Sequence, residues 1–130
     1  TGLLDKSILL KGEIDYTAVA GEMQQANVLV MFSRFENSPC SIIEALCCGL
    51  PVIATKVGGI PELLNNNNGL LIESLDEKAL FEALVAMAAN YLKYDRKKIA
   101  EDAKSKFSYS VIGKKLDKIY EAVLQTTDNQ

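Results

Sequence analysis

The chain has 130 residues, of which 48% are hydrophobic and 24% charged, and its formal net charge is −3. These values are typical of one soluble globular domain, and they exclude the strongly basic composition of a nucleic-acid-binding protein. No signal peptide and no apolar run of about 18 residues is present, so we expect a cytoplasmic protein that does not span a membrane.

Short apolar runs predict buried strands, and periodic apolar stripes predict helices. The predicted strands are Ser7–Lys11, Val28–Phe32, Val52–Ala54 and Leu70–Ile72. The predicted helices are Asp15–Ala26, Pro39–Cys48, Ile60–Leu64, Glu77–Asn90, Arg96–Phe107 and Ser110–Leu124. Strands that alternate with helices indicate an α/β fold with a parallel, doubly wound, Rossmann-like sheet. We expect residues 1–124 to form one domain and residues 125–130 to be a frayed tail.

Charge is unevenly distributed, because Lys93–Lys118 contains nine Lys or Arg and four Asp or Glu, which leaves −8 elsewhere. A solvated basic face explains this segment, and so does peripheral contact with an anionic membrane surface. Cys40, Cys47 and Cys48 show no metal-ligand spacing and are interpreted as small buried residues in a reducing compartment. The chain has no histidine and therefore cannot supply a histidine base or metal ligand.

Ligands of open α/β sheets bind beyond the carboxyl ends of the strands, which selects the loops Ser33–Ser38 and Thr55–Gly59. In the first loop, Ser38 is predicted as the N-cap of a helix and Pro39 as its first residue. The backbone amides that follow lack partners within the helix and, together with the helix dipole, form a binding site for phosphate. These amides belong to Cys40 and Ser41.

Glu44 lies one turn deeper on the same helix face as Cys40 and Ser41. A carboxylate only accepts hydrogen bonds, so a natural partner is a pair of neighbouring hydroxyls such as a ribose diol. Pairing of Glu44 with a lysine or a backbone donor remains the alternative. Glu36 precedes the helix in a polar loop, where a solvated surface residue is the simpler interpretation.

The second loop contains Gly58 and Gly59, which would let backbone approach a ligand closely, although a tight turn explains them equally well. Thr55 could donate a hydrogen bond to a ligand. Neither a GxGxxG fingerprint nor a P-loop is present.

Taken together and in order, "SRFENSPCSIIEALCCGLPVIAT", "VGGIPE" and "GLLI" resemble the carboxyl-terminal, donor-binding domain of retaining glycosyltransferases of family 4. The resemblance implies half of a GT-B fold, without the amino-terminal acceptor domain and the first strands of the donor domain. It also implies transfer of a sugar, with retention, from a nucleotide-sugar to a glycan or lipid-linked acceptor. No metal or other cofactor is implied.

The resemblance also implies roles for individual residues. The first acid of the motif approaches the donor sugar in the family, which makes Glu36 the catalytic candidate, and the second binds the ribose, which corresponds to Glu44. The amides near the helix start contact sugar and diphosphate. The predicted donor-binding residues are Glu44, Asn37, Ser38, Cys40, Ser41, Thr55, Gly58 and Gly59.

A chain that lacks these other parts is expected to be inactive alone, and its strand Ser7–Lys11 must find a new neighbour, which favours a homodimer or a rearranged sheet. Polysaccharide or glycolipid assembly at the inner membrane surface would suit the basic segment. The alternative function is a non-catalytic, receiver-like interaction module. Such a module needs a phosphoacceptor aspartate at the end of a strand, and Val28–Phe32 is followed by Ser33 and Arg34 instead. A sugar-phosphate epimerase is a third hypothesis, which the lack of histidine disfavours.

Overall fold

The computed structural model describes residues 7–127, which form a parallel sheet enclosed by helices. The strands are β1 (Leu29–Met31), β2 (Val52–Thr55) and β3 (Gly69–Ile72), in the spatial order β1-β2-β3. The helices are α1 (Tyr16–Gln25), α2 (Cys40–Cys47), α3 (Ile60–Leu63), α4 (Glu77–Asn90), α5 (Arg96–Phe107) and α6 (Tyr109–Thr127), with a 3-10 turn at Tyr91–Lys93. The predicted α/β fold with a parallel sheet is confirmed.

The central strand β2 is buried along its whole length, as expected for a strand that is covered on both faces. It pairs in parallel with both neighbours, so that Ile53 lies opposite Val30 on one side and Leu70 on the other. Parallel strands need crossover connections, and α2 and α3 supply them.

Two apolar clusters form the core, one on each face of the sheet. The first joins the sheet to α2 and α5 through residues such as Ile42, Leu46 and Ile99. The second joins it to α4 through Ile53 and Met87. Helices on both faces therefore leave the two ends of the strands as the places where a ligand can reach the sheet.

Three helices begin at an aspartate whose carboxylate accepts a hydrogen bond from a backbone amide of the first turn. The capping residues are Asp15, Asp76 and Asp95. For α2 the prediction of the start was wrong by one residue: Pro39 is the N-cap, Ser38 lies outside the helix, and no side chain caps it. Proline has no backbone N–H to donate. Because Pro39 stands at the N-cap and not at the first helical position, every residue of the first turn keeps its N–H group.

Ser7–Lys11 forms no strand in the structure, contrary to the sequence prediction. Ile8 makes a single bridge, and the segment does not join the sheet, where β1 pairs with β2 alone. Its apolar side chains remain exposed, since Leu9 and Leu10 retain 67% and 76% of their accessible surface. Apart from the bridge of Ile8, no strand within residues 7–127 pairs with this run, so its apolar character alone does not produce a strand.

The last two helices follow each other closely, and α5 packs on α2 while α6 packs on α5. Helix α6 continues to Thr127 instead of ending at Leu124, and the rest of the predicted frayed tail lies outside the described residues. Large apolar side chains on α6, among them Leu116 and Ile119, are exposed. Within residues 7–127, no helix combines the length and the apolar character needed to cross a membrane.

Replacing Gly69 with alanine should destabilise the sheet, because the new Cβ would lie 2.2 Å from the carbonyl oxygen of Val52 on the neighbouring strand. We expect a loss of about 1–3 kcal/mol in the free energy of unfolding, measured by urea titration. The control is Gly113→Ala in α6, where a Cβ meets nothing within 4 Å. That control should gain about 0.5–1 kcal/mol from helix propensity, and equal losses in both variants would contradict the strand pairing.

Candidate functional site

Two loops meet at the carboxyl edge of the sheet. The loop of residues 32–39 follows β1 and carries Glu36, and the loop of residues 56–59 follows β2 and carries Gly58 and Gly59. They touch through their backbones, because the amide of Gly59 donates to the carbonyl oxygen of Asn37 at 2.6 Å. The two loops that the sequence selects are thus joined in the structure.

The two glycines are required by this contact. A Cβ on Gly58 would lie 1.9 Å from the carbonyl oxygen of Glu36, and one on Gly59 would lie 2.8 Å from that of Asn37. Gly58 also has a φ of +53°, in the left-handed region that disfavours other residues. The sequence left open a tight turn or approach to a ligand; the structure shows that backbone approaches backbone here.

A short chain of hydrogen bonds holds Glu36. The hydroxyl of Ser33 donates to Glu36 Oε1 at 2.9 Å, and the hydroxyl of Thr55 donates to the carbonyl oxygen of Ser33 at 2.7 Å. Thr55 is fully buried, so its hydroxyl serves the loop and is not presented to a ligand from this position. The carboxylate of Glu36 is half-buried and directed by its neighbours.

The first turn of α2 presents free backbone donors beside this loop. The amide of Ile42 donates to the carbonyl oxygen of Pro39 at 3.2 Å, but the preceding amides of Cys40 and Ser41 precede any intrahelical acceptor. No side chain caps the helix, so nothing there competes for these two amides. Two adjacent N–H groups at the positive end of a helix dipole are donors of the kind that can bind a phosphate.

Glu44 faces a crevice, as the hypothesis of a ribose ligand requires. Its Oε1 accepts a hydrogen bond of 3.2 Å from the hydroxyl of Tyr16, the first residue of α1. This bond and the negative charge of Glu44 raise the pKa of Tyr16 above its usual value, because both favour the protonated phenol. Among the described residues, the ion pairs involve other acids, so the alternative of a lysine-paired Glu44 is not what the structure shows.

The crevice beside Glu44 is a cavity of about 360 Å³ between α1, α2 and the junction of α5 with α6. Its walls are mainly apolar and include Val19, Met23, Ile43 and Phe107. The volume is in the range of about 300–1,000 Å³ that is usual for small-molecule sites. An apolar slot next to a carboxylate can accept a flat ring that is joined to a pair of hydroxyls.

All three cysteines line this cavity as free thiols, and the prediction that they are buried is wrong. Cys40 is exposed, whereas Cys47 and Cys48 are half-buried, and Cys47 packs against the margin of the core. Partial burial raises the pKa of the Cys47 thiol, and the nearby charge of Lys104 opposes that shift. No set of three or more acidic, cysteine or histidine side chains in residues 7–127 is placed to hold a metal ion.

Sequence reasoning missed Tyr16 and the contribution of the α5–α6 junction, because no local spacing relates them to α2. It also missed a larger cavity, of about 500 Å³, at the opposite edge of the sheet. That cavity lies between the loop Asn65–Asn68 and the exposed lysines of α5, including Lys98 and Lys106. It contains none of the predicted site residues.

Comparison with known proteins places these features in a family. A family model described as glycosyl transferases group 1 matches residues 2–90. The chain is 34% identical over 118 residues to an uncharacterized glycosyltransferase of Methanocaldococcus jannaschii, covering 88% of this chain and 33% of that protein. It is 23% identical over 128 residues to a GDP-mannose-dependent monoacylated α-(1-6)-phosphatidylinositol monomannoside mannosyltransferase of Corynebacterium glutamicum, covering 92% and 34% respectively.

Among solved structures, sucrose-phosphate synthase from Thermosynechococcus elongatus superposes with a TM-score of 0.80 and 30% identity. The match covers 88% of this chain and 30% of that protein, and it supports the prediction of half of a GT-B fold. The chain spans about a third of the length of these proteins.

Replacing Gly58 with alanine should displace the loop that carries Glu36, because the added Cβ collides with the carbonyl oxygen of that residue. Amide chemical shifts of residues 33–37 should change, and stability should fall by about 2–4 kcal/mol from strain and collision together. Gly12→Ala is the matched control, since Gly12 has a φ of +65° and open space around its Cα. If both variants lost the same stability and left those shifts unchanged, the contact between the loops would be refuted.

Proposed function

This chain belongs to the glycosyl transferases group 1 family, and on that premise we propose that it forms the nucleotide-sugar-binding part of a retaining glycosyltransferase of family 4. The observation that carries the proposal is the arrangement on α2. Free amides lie in its first turn, and the carboxylate of Glu44 lies one turn deeper in an open crevice. Amide donors for an anion and a carboxylate acceptor for a diol, one helical turn apart, match the diphosphate and the ribose of one nucleotide.

The diphosphate binds at the first turn of α2, where the amides of Cys40 and Ser41 donate to its oxygens. These donors are preorganised by the helix and do not need to be rearranged when charge develops on the departing diphosphate. They therefore stabilise the transition state of transfer more than the bound donor. Asn37 and Ser38, which directly precede the N-cap of this helix and are exposed, are assigned to contact with the same donor.

The nucleoside occupies the cavity beside Glu44. The carboxylate accepts hydrogen bonds from the two ribose hydroxyls, and the apolar walls formed by residues such as Met23 and Phe107 receive the base. This assignment gives the half-buried acid two donors in addition to the hydroxyl of Tyr16, on the side of α2 that lines the cavity.

Glu36 contacts the sugar of the donor. Its loop is fixed against Gly58 and Gly59, and the Ser33 hydroxyl directs its carboxylate. Thr55 acts on this residue indirectly, because it holds the carbonyl of Ser33 from a buried position. We therefore assign Thr55, Gly58 and Gly59 to positioning of the loop, and Glu36 to contact with the donor.

The acceptor is a glycan or a lipid-linked glycan, and we expect this chain alone to be inactive, because it spans only about a third of the length of its relatives. The name of the corynebacterial relative describes a phosphatidylinositol-linked acceptor for that protein, which supports a lipid-linked acceptor here. The exposed lysines within Lys93–Lys118 would then contact anionic lipid headgroups. Transfer requires no metal in this scheme, as the family resemblance implies, and the helix amides stabilise part of the charge on the diphosphate.

Glu44→Gln should weaken binding of UDP or GDP to the chain by about ten- to a hundredfold, because a neutral amide replaces a charged acceptor of two hydrogen bonds. Affinity for inorganic pyrophosphate should not change. Glu101→Gln is the control, since Glu101 is exposed on α5 and makes only a 3.9 Å ion pair with Lys97. Affinities are measured by NMR titration. Equal UDP and GDP affinities in wild type and Glu44→Gln would remove the basis of the proposal.

A bound nucleoside diphosphate should protect Cys40 from alkylation by iodoacetamide, because its thiol is exposed in the turn that holds the phosphates. Without ligand, Cys40 should react before Cys47, whose thiol pKa is raised by partial burial and whose reactive thiolate is correspondingly scarce. Peptide mass spectrometry of partly alkylated samples gives both rates. Alkylation of Cys40 at the same rate with and without saturating UDP and GDP would contradict this placement.

A further inference from the structure

Tyr16 stands out among the residues around Glu44, because its side chain is 71% exposed and yet makes a defined contact. It is the first residue of α1, directly after the cap Asp15, whose carboxylate accepts from the amide of Ala18 at 2.9 Å. The cap fixes the start of the helix and therefore the position from which the phenol reaches across to α2. The ring contributes little to the core, so its packing does not explain the contact.

The hydroxyl of Tyr16 donates to only one oxygen of the carboxylate, Glu44 Oε1, at 3.2 Å. A carboxylate offers about four lone-pair positions, so one neutral donor leaves room for further hydrogen bonds. Glutamate on an open helix face otherwise turns freely about its side-chain torsions. One fixed oxygen restricts this rotation beside the cavity that both residues line, and the second oxygen has no hydrogen bond to a described residue.

We propose that Tyr16 is a positioning residue that holds the carboxylate of Glu44 ready for both ribose hydroxyls and thereby sets discrimination between ribonucleotides and 2′-deoxyribonucleotides. The inference rests on the proposed role of Glu44 toward ribose. A diol bound through two hydrogen bonds requires the plane of the carboxylate to be fixed. When one hydroxyl is missing, the remaining bond tolerates rotation, so the advantage of a fixed carboxylate applies to the complete diol.

The protonation of Tyr16 is compatible with this role over the physiological range. Glu44 raises the pKa of the phenol, so the neutral, donating form persists through neutral pH and into alkaline solution. Deprotonation would place two negative charges together and break the contact. Cys40 and Tyr109, the other titratable groups near the phenol, also raise the pKa of Tyr16, so ribonucleotide preference should be constant near neutrality.

The test compares Tyr16→Phe with Tyr120→Phe, an exposed tyrosine on α6 that does not line the cavity. Ligands are UDP and GDP, their 2′-deoxy counterparts, and inorganic pyrophosphate, titrated against the full chain by NMR. Tyr16→Phe should weaken ribonucleotide binding about three- to tenfold through loss of one hydrogen bond to a charged group. Binding of the deoxy compounds and of pyrophosphate should stay the same, so the ribo-to-deoxy affinity ratio falls.

The outcomes separate this inference from the proposed function. If Glu44→Gln abolishes the ribo-to-deoxy ratio and Tyr16→Phe leaves it unchanged, Tyr16 is not a positioning residue and the role of Glu44 stands. If wild type binds ribonucleotides, deoxynucleotides and pyrophosphate equally, both assignments fail. Weaker binding of all ligands by Tyr16→Phe, with lower stability in urea, would indicate a purely structural tyrosine and would overturn the inference.

Discussion

The burial of one face of α2 is the constraint on which the site depends. Ile42, Ala45 and Leu46 are almost completely buried against the sheet and α5, and they fix the rotation of this eight-residue helix about its axis. Because the helix repeats every 3.6 residues, fixing that face also fixes the opposite one. Cys40 and Glu44 therefore line the crevice toward α1. A carboxylate is costly to bury in an apolar core, and in this position it is available to a ligand.

The carboxyl edge of the sheet supplies the second half of the arrangement. Parallel strands bring the loops after β1 and β2 to the same edge, and two adjacent glycines let those loops touch through their backbones. The contact leaves the helix start open and places Glu36 in a directed, half-buried position. The loop is held by backbone contacts and the helix face is fixed by burial, so neither needs to be ordered when a ligand binds, which lowers the entropic cost of binding.

Much of this could be predicted from the sequence because the signals are local. The uninterrupted apolar run around Val30 predicted β1. The apolar spacing of the carboxyl-terminal segments predicted α4 and α5 with the observed bounds, and α6 with a later start and an earlier end than observed. The prediction of a strand at Ser7–Lys11 was wrong because an apolar run forms a strand only when a neighbouring strand pairs with it. The local sequence does not show which segments will be neighbours in space. The start of α2 was displaced by one residue because proline is compatible with the cap and with the first helical position.

Part of the site was also predictable, because some of its residues are related by local spacing. The spacing of Cys40 and Glu44 along one helix follows from helical geometry alone. Contacts between distant residues do not, and the Tyr16–Glu44 bond joins positions 28 residues apart. Likewise, Thr55 has the residue type of a ligand donor, and only the packing around β2 shows that its hydroxyl is used internally.

The most direct test of the account is the response of individual backbone amides to a nucleoside diphosphate, followed by ¹⁵N–¹H correlation spectra of the chain during titration with UDP and with GDP. If the first turn of α2 holds the diphosphate, the amides of Cys40 and Ser41 shift most and those of residues 65–68 stay unchanged. Shifts confined to the larger cavity at the opposite edge, around Asn66 and Lys98, with no response at Cys40 or Ser41, would contradict it.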